Sequence, residues 1–431
     1  MSERIADHTA RITVVGQGYV GLPLAVEFCR VGFKVIGIDI DKDRVKRLNR
    51  GESLTPDVSH ESLLEMRNTG HYEASWDFSV LQNSDVILIC VPTPLRKSKD
   101  PDISYVLDTV EKVVKYLRPG QLIILESTTY PGTTEELLLP LFQAKAYSAG
   151  EDVFLAFSPE RIDPGNTQFM VKDIPKVTGG VSPACTRLAA LLYRQIVSKV
   201  VEVSSPRVAE LAKLYENVFR SVNIALANEF SLMCRQLGVN SREVIDAAAS
   251  KPFGFMPFYP GPGIGGHCIP IDPAYLAWKM KFSNYQARFI PLAEEINQSM
   301  PGHVVDLVSD ALNERKLCLN GAKVLAIGAA YKRGVGDTRE SPALQIMASL
   351  LRLGVQLSYA DPYVPEIVLD GKTYQSEQLD AAVLKASDCV LILTDHDNLN
   401  YQDMATHASL IVDTRGAMRG IETGSAQIVN L

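Results

Sequence analysis

The chain has 431 residues, 46% of them hydrophobic and 22% charged, with a formal net charge of −7. That length predicts two or three domains with sizeable cores and excludes a disordered chain. The acidic balance, with no basic stripe, argues against nucleic acid as a partner, although local Lys and Arg leave anionic small molecules open. Seven scattered cysteines form neither a CxxC pair nor a metal-ligand spacing. The first ten residues hold no apolar run, and no stretch approaches the ~18 apolar residues of a membrane span. A reduced, cytoplasmic protein is expected, with no secretory signal, no membrane contact and no metal.

In chain order, a buried strand over 12–15 comes first, then Gly16-Gln17-Gly18-Tyr19-Val20-Gly21 and a helix to about residue 31. A second strand over 34–38 ends at Asp39. Strand, glycine run, helix, strand and acid together form the βαβ dinucleotide fingerprint in its context. Gly16, Gly18 and Gly21 allow the turn, bring backbone close to a pyrophosphate and let helix pack on strand, while the helix N-terminus faces the phosphates. Asp39 can accept hydrogen bonds from ribose hydroxyls and would repel a 2′-phosphate, so NAD is expected rather than NADP. Tyr19, Val20 and Arg44 are placed on the cofactor side as well.

Strands over 86–91, 122–125 and 153–157 run into Pro92-Thr93-Pro94, Glu126-Ser127-Thr128-Thr129 and Ser158-Pro159-Glu160-Arg161. Ligands of open α/β sheets bind outside the carboxyl ends of strands. That puts Thr93, Thr128 and Glu160 along one cleft edge, although each also reads as an ordinary loop or cap residue.

Ser204-Ser205-Pro206 reads as a helix start. From Val208 through Leu211, Tyr215, Val218, Val222, Leu226 and Phe230 to Met233, apolar residues recur at three- or four-residue spacing, and Gly238 ends the helix. Lys213 and Asn217 are four apart and share a face. On the residues alone, Lys213 is as readily a solvated lysine as a catalytic one.

The segment 260–272 is the most informative in the chain. Gly261, Gly263, Gly265 and Gly266 leave bare backbone, followed by the thiol Cys268 and the carboxylate Asp272. A thiol beside such a bed suits covalent capture of a carbonyl carbon, against the ordinary alternative of a buried structural cysteine. Cys268 is the candidate nucleophile.

A second long helix is expected over 290–312, with Pro291 and Pro301 leaving its continuity open. A buried strand over 323–329 feeds a polar loop from Tyr331 to Arg339, a helix to residue 353, and strands over 356–359, 390–393 and 410–412. This second α/β unit lacks GxGxxG but carries Lys332, Arg333 and Arg339 at its βα turn and Arg415 after a later strand. A second phosphorylated ligand is expected there, against the alternative of a merely solvated basic loop.

Four motifs in order give the chain its family likeness: Ser158-Pro159-Glu160-Arg161, the helix 209–217, Gly265-Gly266-His267-Cys268, and Gly336-Asp337-Thr338-Arg339-Glu340-Ser341. Over nearly its whole length the chain resembles the UDP-glucose/GDP-mannose dehydrogenase family. The resemblance implies an α/β fold with two Rossmann-like doubly wound domains joined by a central helical dimerisation region. Its divisions would be an NAD-binding domain over 1–204, a helical domain with the Cys loop over 205–316, and a UDP-sugar domain over 317–431. It further implies a homodimer or higher homo-oligomer, and oxidation of a sugar C6 alcohol to an aldehyde and then a carboxylate with two NAD⁺. Cys268 would form a thiohemiacetal and then a thioester. Lys213 and Asn217 would stabilise the oxyanion, Asp272 would hold water and tune Cys268, Glu160 would act as general base, and Thr128 would hold the catalytic water. Arg161, Tyr259, Gly261, Gly265, Gly266, Lys332 and Arg415 would line the UDP-sugar site, and Arg339 and Thr93 would reach the cofactor. Lys251 is the nearest candidate for a basic residue lent across a dimer interface.

Two departures bear on the substrate. Ile271 stands where UDP-glucose enzymes typically carry Lys, and Ile264 and His267 replace their Phe and Ser. The run from Phe255 to Gly263 resembles the branch acting on UDP-N-acetylhexosamines, UDP-N-acetylglucosamine above all, in making uronic-acid sugars for bacterial surface polysaccharide. The alternatives are a UDP-glucose 6-dehydrogenase, a two-electron hydroxy-acid dehydrogenase, and a nucleotide sensor without activity.

Overall fold

The computed structural model describes residues 1–431 apart from 56, 97–99, 162–170, 267, 268, 423 and 425. His267 and Cys268 thus lie outside the described residues. The chain forms two compact units, residues 1–216 with 274–285 and residues 217–273 with 286–431.

The first unit is built on an eight-stranded sheet: β1 Arg11–Val15, β2 Lys34–Ile38, β3 Tyr72–Ser75, β4 Val86–Ile89, β5 Leu122–Leu125, β6 Phe154–Phe157, β7 Lys176–Gly180 and β8 Val200–Glu202. The spatial order is β3-β2-β1-β4-β5-β6-β7-β8. The first six strands are parallel in the doubly wound order, and the strand order reverses between β1 and β4. Parallel strands covered on both faces read as unbroken apolar runs, as Val86–Ile89 and Leu122–Leu125 do. Their side chains alternate between two cores. Val86, Leu88, Leu122 and Ile124 join one with Phe28 and Phe33. Ile87, Ile89, Ile123 and Leu125 join the other with Val106 and Phe142.

β7 departs from this pattern. It runs antiparallel to β6, with Ala156 opposite Gly180 and Phe157 opposite Gly179. Its first residue, Lys176, is therefore delivered to the carboxyl edge of the sheet. β3, β7 and β8 escape the sequence reading, since each is short and follows no clean apolar run.

The second unit has a five-stranded parallel sheet of β9 Lys323–Ile327, β10 Gln356–Ala360, β13 Cys389–Ile392, β14 Leu410–Asp413 and β15 Gln427–Asn430, ordered β10-β9-β13-β14-β15. The order reverses between β9 and β13. A separate antiparallel hairpin, β11 Glu366–Leu369 and β12 Lys372–Gln375, turns through Asp370 and Gly371 at φ 46° and 78°. An Asp-Gly pair at positive φ is a common two-residue hairpin turn, so this element was readable in the sequence.

Two long helices accompany these sheets. Pro206–Gln236 runs 31 residues, and Gly238, at φ 69°, lies just beyond its end. Phe289–Glu314 is one continuous helix with Pro301 buried inside it. Proline donates no hydrogen bond, so the Asn297 carbonyl four residues earlier is released from the helical ladder. The Asn297 side chain is used instead: it accepts from Asn228 Nδ2 at 2.9 Å and donates to the Ser221 carbonyl at 3.2 Å. No helix among the described residues is long and apolar enough to cross a membrane.

Candidate active site

At the reversal point of the first sheet, the three glycines have three different jobs. Gly16 sits at φ 93°, and a Cβ there would meet the Cys90 carbonyl oxygen at 2.5 Å. A Cβ on Gly21 would stand 1.8 Å from the Gly16 carbonyl oxygen, so only glycine lets the helix Gly21–Arg30 start there. Gly18 is the opposite case. Nothing of the protein lies within 4 Å of its would-be Cβ, so the backbone is open to a ligand. Tyr19 is exposed and Val20 is the residue before the helix.

Asp39, at the end of β2, accepts from the Gln17 and Asp41 backbone N–H groups, each at 3.0 Å. Arg44 approaches its carboxylate to 3.6 Å and donates to the Gln17 carbonyl at 3.0 Å. A bare pyrophosphate bed at a helix start, with a half-buried carboxylate at the end of the second strand, fits NAD. Thr93 is buried, its carbonyl accepting from Tyr275 Oη at 2.9 Å.

Further along the same carboxyl edge, β5 runs into Glu126 and β6 into Glu160. Glu126 and Lys176 are both buried, and Glu160 is nearly so. Lys176 Nζ donates to Glu126 Oε2 at 2.7 Å and to Glu160 Oε2 at 3.2 Å. Tyr193 donates its hydroxyl to Glu126 Oε1. The Arg161 backbone N–H donates to Glu160 Oε1 at 2.7 Å, and the Arg161 guanidinium is occupied by Glu216 at 2.7 Å and the Pro175 carbonyl. Burial alone would lower the Lys176 ammonium, but Glu126 and Glu160 outweigh it and hold it above its ordinary value. Burial pushes Glu126 up. Sequence reasoning found Glu160 and missed Lys176, Glu126 and Tyr193; β7, Lys-Val-Thr-Gly-Gly, has no apolar run that would have marked Lys176.

Thr128, half-buried, lies in the loop after β5. That loop is anchored by Glu210, which accepts from Gly132 N at 2.5 Å, Thr134 N at 3.0 Å and Thr134 Oγ1 at 2.7 Å. Lys213, three residues on from Glu210, is only 9% exposed, and no hydrogen bond or ion pair to its ammonium occurs among the described residues.

In the second unit, Asn217 Nδ2 donates to Asp272 Oδ2 at 2.5 Å, with both residues buried. Asp272 opens the helix Asp272–Lys281, where its charge meets the positive end of the helix dipole. Upstream, the glycine bed is packed rather than open. A Cβ on Gly265 would come within 2.7 Å of the Glu340 carbonyl oxygen and of Tyr331 Cβ, and one on Gly266, at φ 87°, within 2.9 Å of the Tyr331 ring. Gly266 N–H donates to the Arg339 carbonyl at 3.1 Å and Gly261 N–H to Asn228 Oδ1 at 2.9 Å. Glu340 itself takes φ 51°, a strained conformation that the close fit of Gly265 helps to fix.

A cavity of about 420 Å³ lies in this unit, lined by Arg242, Tyr259, Arg333 and Arg415 with Asp395 and Tyr401. Arg415 Nε donates to the Leu393 carbonyl at 2.8 Å, and its Nη1 would lie 3.1 Å from a Cβ on Gly261. Arg242 donates to the Pro260 carbonyl at 2.7 Å and lies 5.5 Å from the centre of the Tyr259 ring, whose hydroxyl donates to Asp246 at 2.7 Å. Convergent guanidinium groups suit a diphosphate. Arg333 is held by Asp395 and Asp397, and Arg339 by Asp337 at 2.7 Å. Lys332 sits half-buried in the loop after β9, its ammonium 5.9 Å from the Tyr331 ring centre. Arg242 was not anticipated; nothing in its sequence surroundings marks it.

Comparison with known proteins agrees with these two ligand beds. The sequence matches the UDP-glucose/GDP-mannose dehydrogenase family in its NAD binding domain over residues 10–197, its central domain over 207–299 and its UDP binding domain over 325–420. It is 36% identical over 356 residues to a UDP-N-acetyl-D-glucosamine 6-dehydrogenase of Pseudomonas aeruginosa, covering 82% of this chain and 83% of that one. It is also 36% identical over 423 residues to a UDP-N-acetyl-D-mannosamine dehydrogenase of Salmonella typhi, covering 95% and 99%. The solved structure of a UDP-D-ManNAc dehydrogenase from Pyrococcus horikoshii superposes with a TM-score of 0.87 at 33% identity, over 97% of this chain and 98% of that one. The chain belongs to the UDP-glucose/GDP-mannose dehydrogenase family and is an NAD-dependent oxidoreductase of UDP-sugars.

Proposed function

We propose that the enzyme oxidises the C6 alcohol of a UDP-N-acetylhexosamine to the carboxylate in two steps, with UDP-N-acetylglucosamine as the first-choice substrate. The observation that carries this reading is the buried Asn217–Asp272 pair, held at 2.5 Å with Asp272 four residues after Cys268 and beyond Gly265 and Gly266, where a side chain would clash. UDP-N-acetylmannosamine is the second reading, favoured by the Salmonella typhi relative and the Pyrococcus horikoshii structure. The match to a UDP binding domain over 325–420 speaks against a two-electron hydroxy-acid dehydrogenase, which has no use for one.

NAD⁺, when bound, accepts the hydride in each of two oxidations. Gly16, Gly18 and Gly21 with Val20 would cradle its pyrophosphate, with Asp39 on the ribose and Tyr19, Arg44, Thr93 and Arg339 nearby. Arg415, Lys332, Tyr259 and the Gly261, Gly265 and Gly266 backbone would hold the UDP-sugar, helped by Arg161. Cys268, as thiolate, adds to the aldehyde carbon to give a thiohemiacetal, so that the second oxidation yields an enzyme-bound thioester. Lys213 by charge and Asn217 as amide donor stabilise the oxyanion. Asp272, fixed by Asn217, holds water and tunes Cys268. Glu160 takes a proton from the hydrolytic water, which Thr128 holds.

The three divisions 1–204, 205–316 and 317–431 are read as NAD-binding, helical and UDP-sugar-binding parts. Val208, Leu211, Tyr215, Phe219, Leu226 and Met233, all exposed along one helix, support reading it as the face against a second copy, with Lys251 the residue to examine for a shared site.

The test is to incubate the protein with NAD⁺ and, separately, UDP-N-acetylglucosamine, UDP-N-acetylgalactosamine, UDP-N-acetylmannosamine and UDP-glucose, counting NADH per sugar consumed. Two NADH with an N-acetylhexosamine, abolished by Cys268→Ser, are expected, from a protein of at least dimer mass by light scattering. One NADH per sugar, or activity indifferent to Cys268→Ser, would overturn the mechanism; two NADH with UDP-glucose alone would overturn the substrate.

A further inference from the structure

Four polar side chains meet out of water at the carboxyl edge of the first sheet, and the roles above use only one of them. Glu126 follows β5, Glu160 follows β6, Lys176 opens β7, and Tyr193 ends the helix Pro183–Tyr193. Two carboxylates buried together repel each other, and one of them would normally be protonated at neutral pH. Lys176 Nζ lies between them, 2.7 Å from Glu126 and 3.2 Å from Glu160. Tyr193 donates to the far oxygen of Glu126, and the Lys176 ammonium lies 5.3 Å from the centre of its ring. The Cys90 thiol, in the loop after β4, also faces the group, and burial pushes it up so that it adds no charge.

A buried lysine costs much desolvation, which its two carboxylate partners offset here. Here that charge lies beside Glu160, and the cause is a topological exception: only an antiparallel β7 can bring residue 176 to the edge where ligands bind.

We propose that Lys176, fixed by Glu126 and Tyr193, is a positioning residue that keeps the Glu160 carboxylate ionised and aimed for hydrolysis of the enzyme-bound thioester; this rests on the reading of Glu160 given above. In that step the water oxygen bonds to the C6 carbonyl carbon, the carbon–sulfur bond breaks, and Cys268 leaves as thiolate. Glu160 takes one proton from the water and passes it to solvent, and the second is released as the product acid ionises to the carboxylate. No electrons change hands. Lys176 touches neither water nor substrate in this scheme: it supplies the charge that lets Glu160 remain a base.

Both hydrides leave before hydrolysis, so a failure confined to this step has its own signature. With NAD⁺ and whichever of UDP-N-acetylglucosamine or UDP-N-acetylmannosamine the wild type oxidises, Lys176→Met should release two NADH per active site in a burst. It should then stall with the sugar attached to Cys268 by mass spectrometry, steady-state turnover falling about 100-fold. Lys176→Arg, which keeps the charge, should recover most of that loss. Removal of the cation raises the pKa of the base, so the acid limb of the Lys176→Met turnover profile should move to higher pH. Tyr193→Phe, which keeps every charge and loses one hydrogen bond, gives the same stall in milder form and serves if Lys176→Met does not fold.

If Glu160→Gln stalls as described while Lys176→Met and Tyr193→Phe turn over like the wild type, the inference about Lys176 is wrong and the reading of Glu160 stands. Equal loss of burst and steady state in the Lys176 variants at an unshifted pH profile also overturns it, since that marks a purely structural lysine. If Glu160→Gln leaves no adduct on Cys268, the failure lies in the reading of Glu160 itself.

Discussion

The two α/β units solve the same topological problem with different chemistry. In each, a glycine at positive φ follows the first strand and packs against the end of the strand across the reversal point. For Gly16 at φ 93° the neighbour is the Cys90 carbonyl oxygen, 2.5 Å from a would-be Cβ; for Gly328 at φ 87° it is Thr394 Cβ at 2.3 Å. In each, an aspartate ends or follows the second strand, Asp39 after β2 and Asp361 after β10. From there they diverge. Asp39 is half-buried and spends its acceptors on two backbone N–H groups. Asp361 is buried and accepts from Ala329, Ala330, Tyr363 and Val364 N–H and from His396 Nε2. A carboxylate with every lone pair engaged by its own protein cannot read a ribose. In the second unit guanidinium groups line the cavity instead, and its aspartate serves as a structural tie.

The sharpest way to break that comparison is Asp361→Ala. It would leave four backbone N–H groups and a buried histidine without their acceptor, at about 3–5 kcal/mol of stability. The variant should melt well below the wild type, or fail to accumulate, for a reason unrelated to cofactor. Burial alone would raise the Asp361 carboxyl, but the His396 bond and the backbone donors outweigh it and hold it below its ordinary value. A depressed folded-state pKa contributes stability above the unfolded value, near pH 4, and that stability is lost as the pH falls through the folded value. Acid titration of the wild type should show this loss. A stable Asp361→Ala variant with altered NAD⁺ binding would reverse the roles assigned to the two aspartates.

Arg415→Ala comes next in size. Its guanidinium lines the cavity beside Gly261 and is anchored by the Leu393 carbonyl at 2.8 Å. Loss of a charge-assisted phosphate contact is worth about 1.5–3 kcal/mol. The KM for UDP-sugar should rise about 10- to 100-fold with the KM for NAD⁺ unchanged. Lysine at this position should restore only part of the effect, because an ammonium lacks the planar fork. An unchanged UDP-sugar KM would remove Arg415 from the second ligand bed.

How much of this was legible in the chain follows from where the signals are local. The dinucleotide loop is: its glycines, its strand and Asp39 lie within thirty residues of each other, so sequence order nearly equals spatial order. The Cys268 segment is contiguous in sequence as well, but Cys268 lies outside the described residues, and the packing of Gly265 and Gly266 against Glu340 and Tyr331 was not readable from it. The Asn217–Asp272 pair required partners 55 positions apart, and family resemblance supplied both without indicating that they bond. Lys176 was invisible for a physical reason. Its meaning depends on β7 running antiparallel, and strand direction in a sheet is not written in a five-residue segment. Arg242 was missed in the same way, because its partners at Pro260 and Thr414 come from distant loops. The hairpin through Asp370-Gly371 is different, for its turn signal was in plain sight.

The smallest expected effect falls on Asp39, and it separates the two units most directly. Asp39→Asn keeps the shape and one acceptor but removes the charge. If Asp39 reads a ribose, the variant should lose about 1–2 kcal/mol of NAD⁺ affinity, near a tenfold rise in KM, without a comparable fall in melting temperature. Use of NADP⁺ should rise at the same time, because the repulsion of a 2′-phosphate goes with the charge and Arg44, 3.6 Å away, is left to attract it. The two aspartates then part cleanly: one substitution moves a binding constant at constant stability, the other moves stability. A fall in melting temperature for Asp39→Asn as large as that for Asp361→Ala would mean that both carboxylates are structural ties, and that cofactor choice is made elsewhere in the first unit.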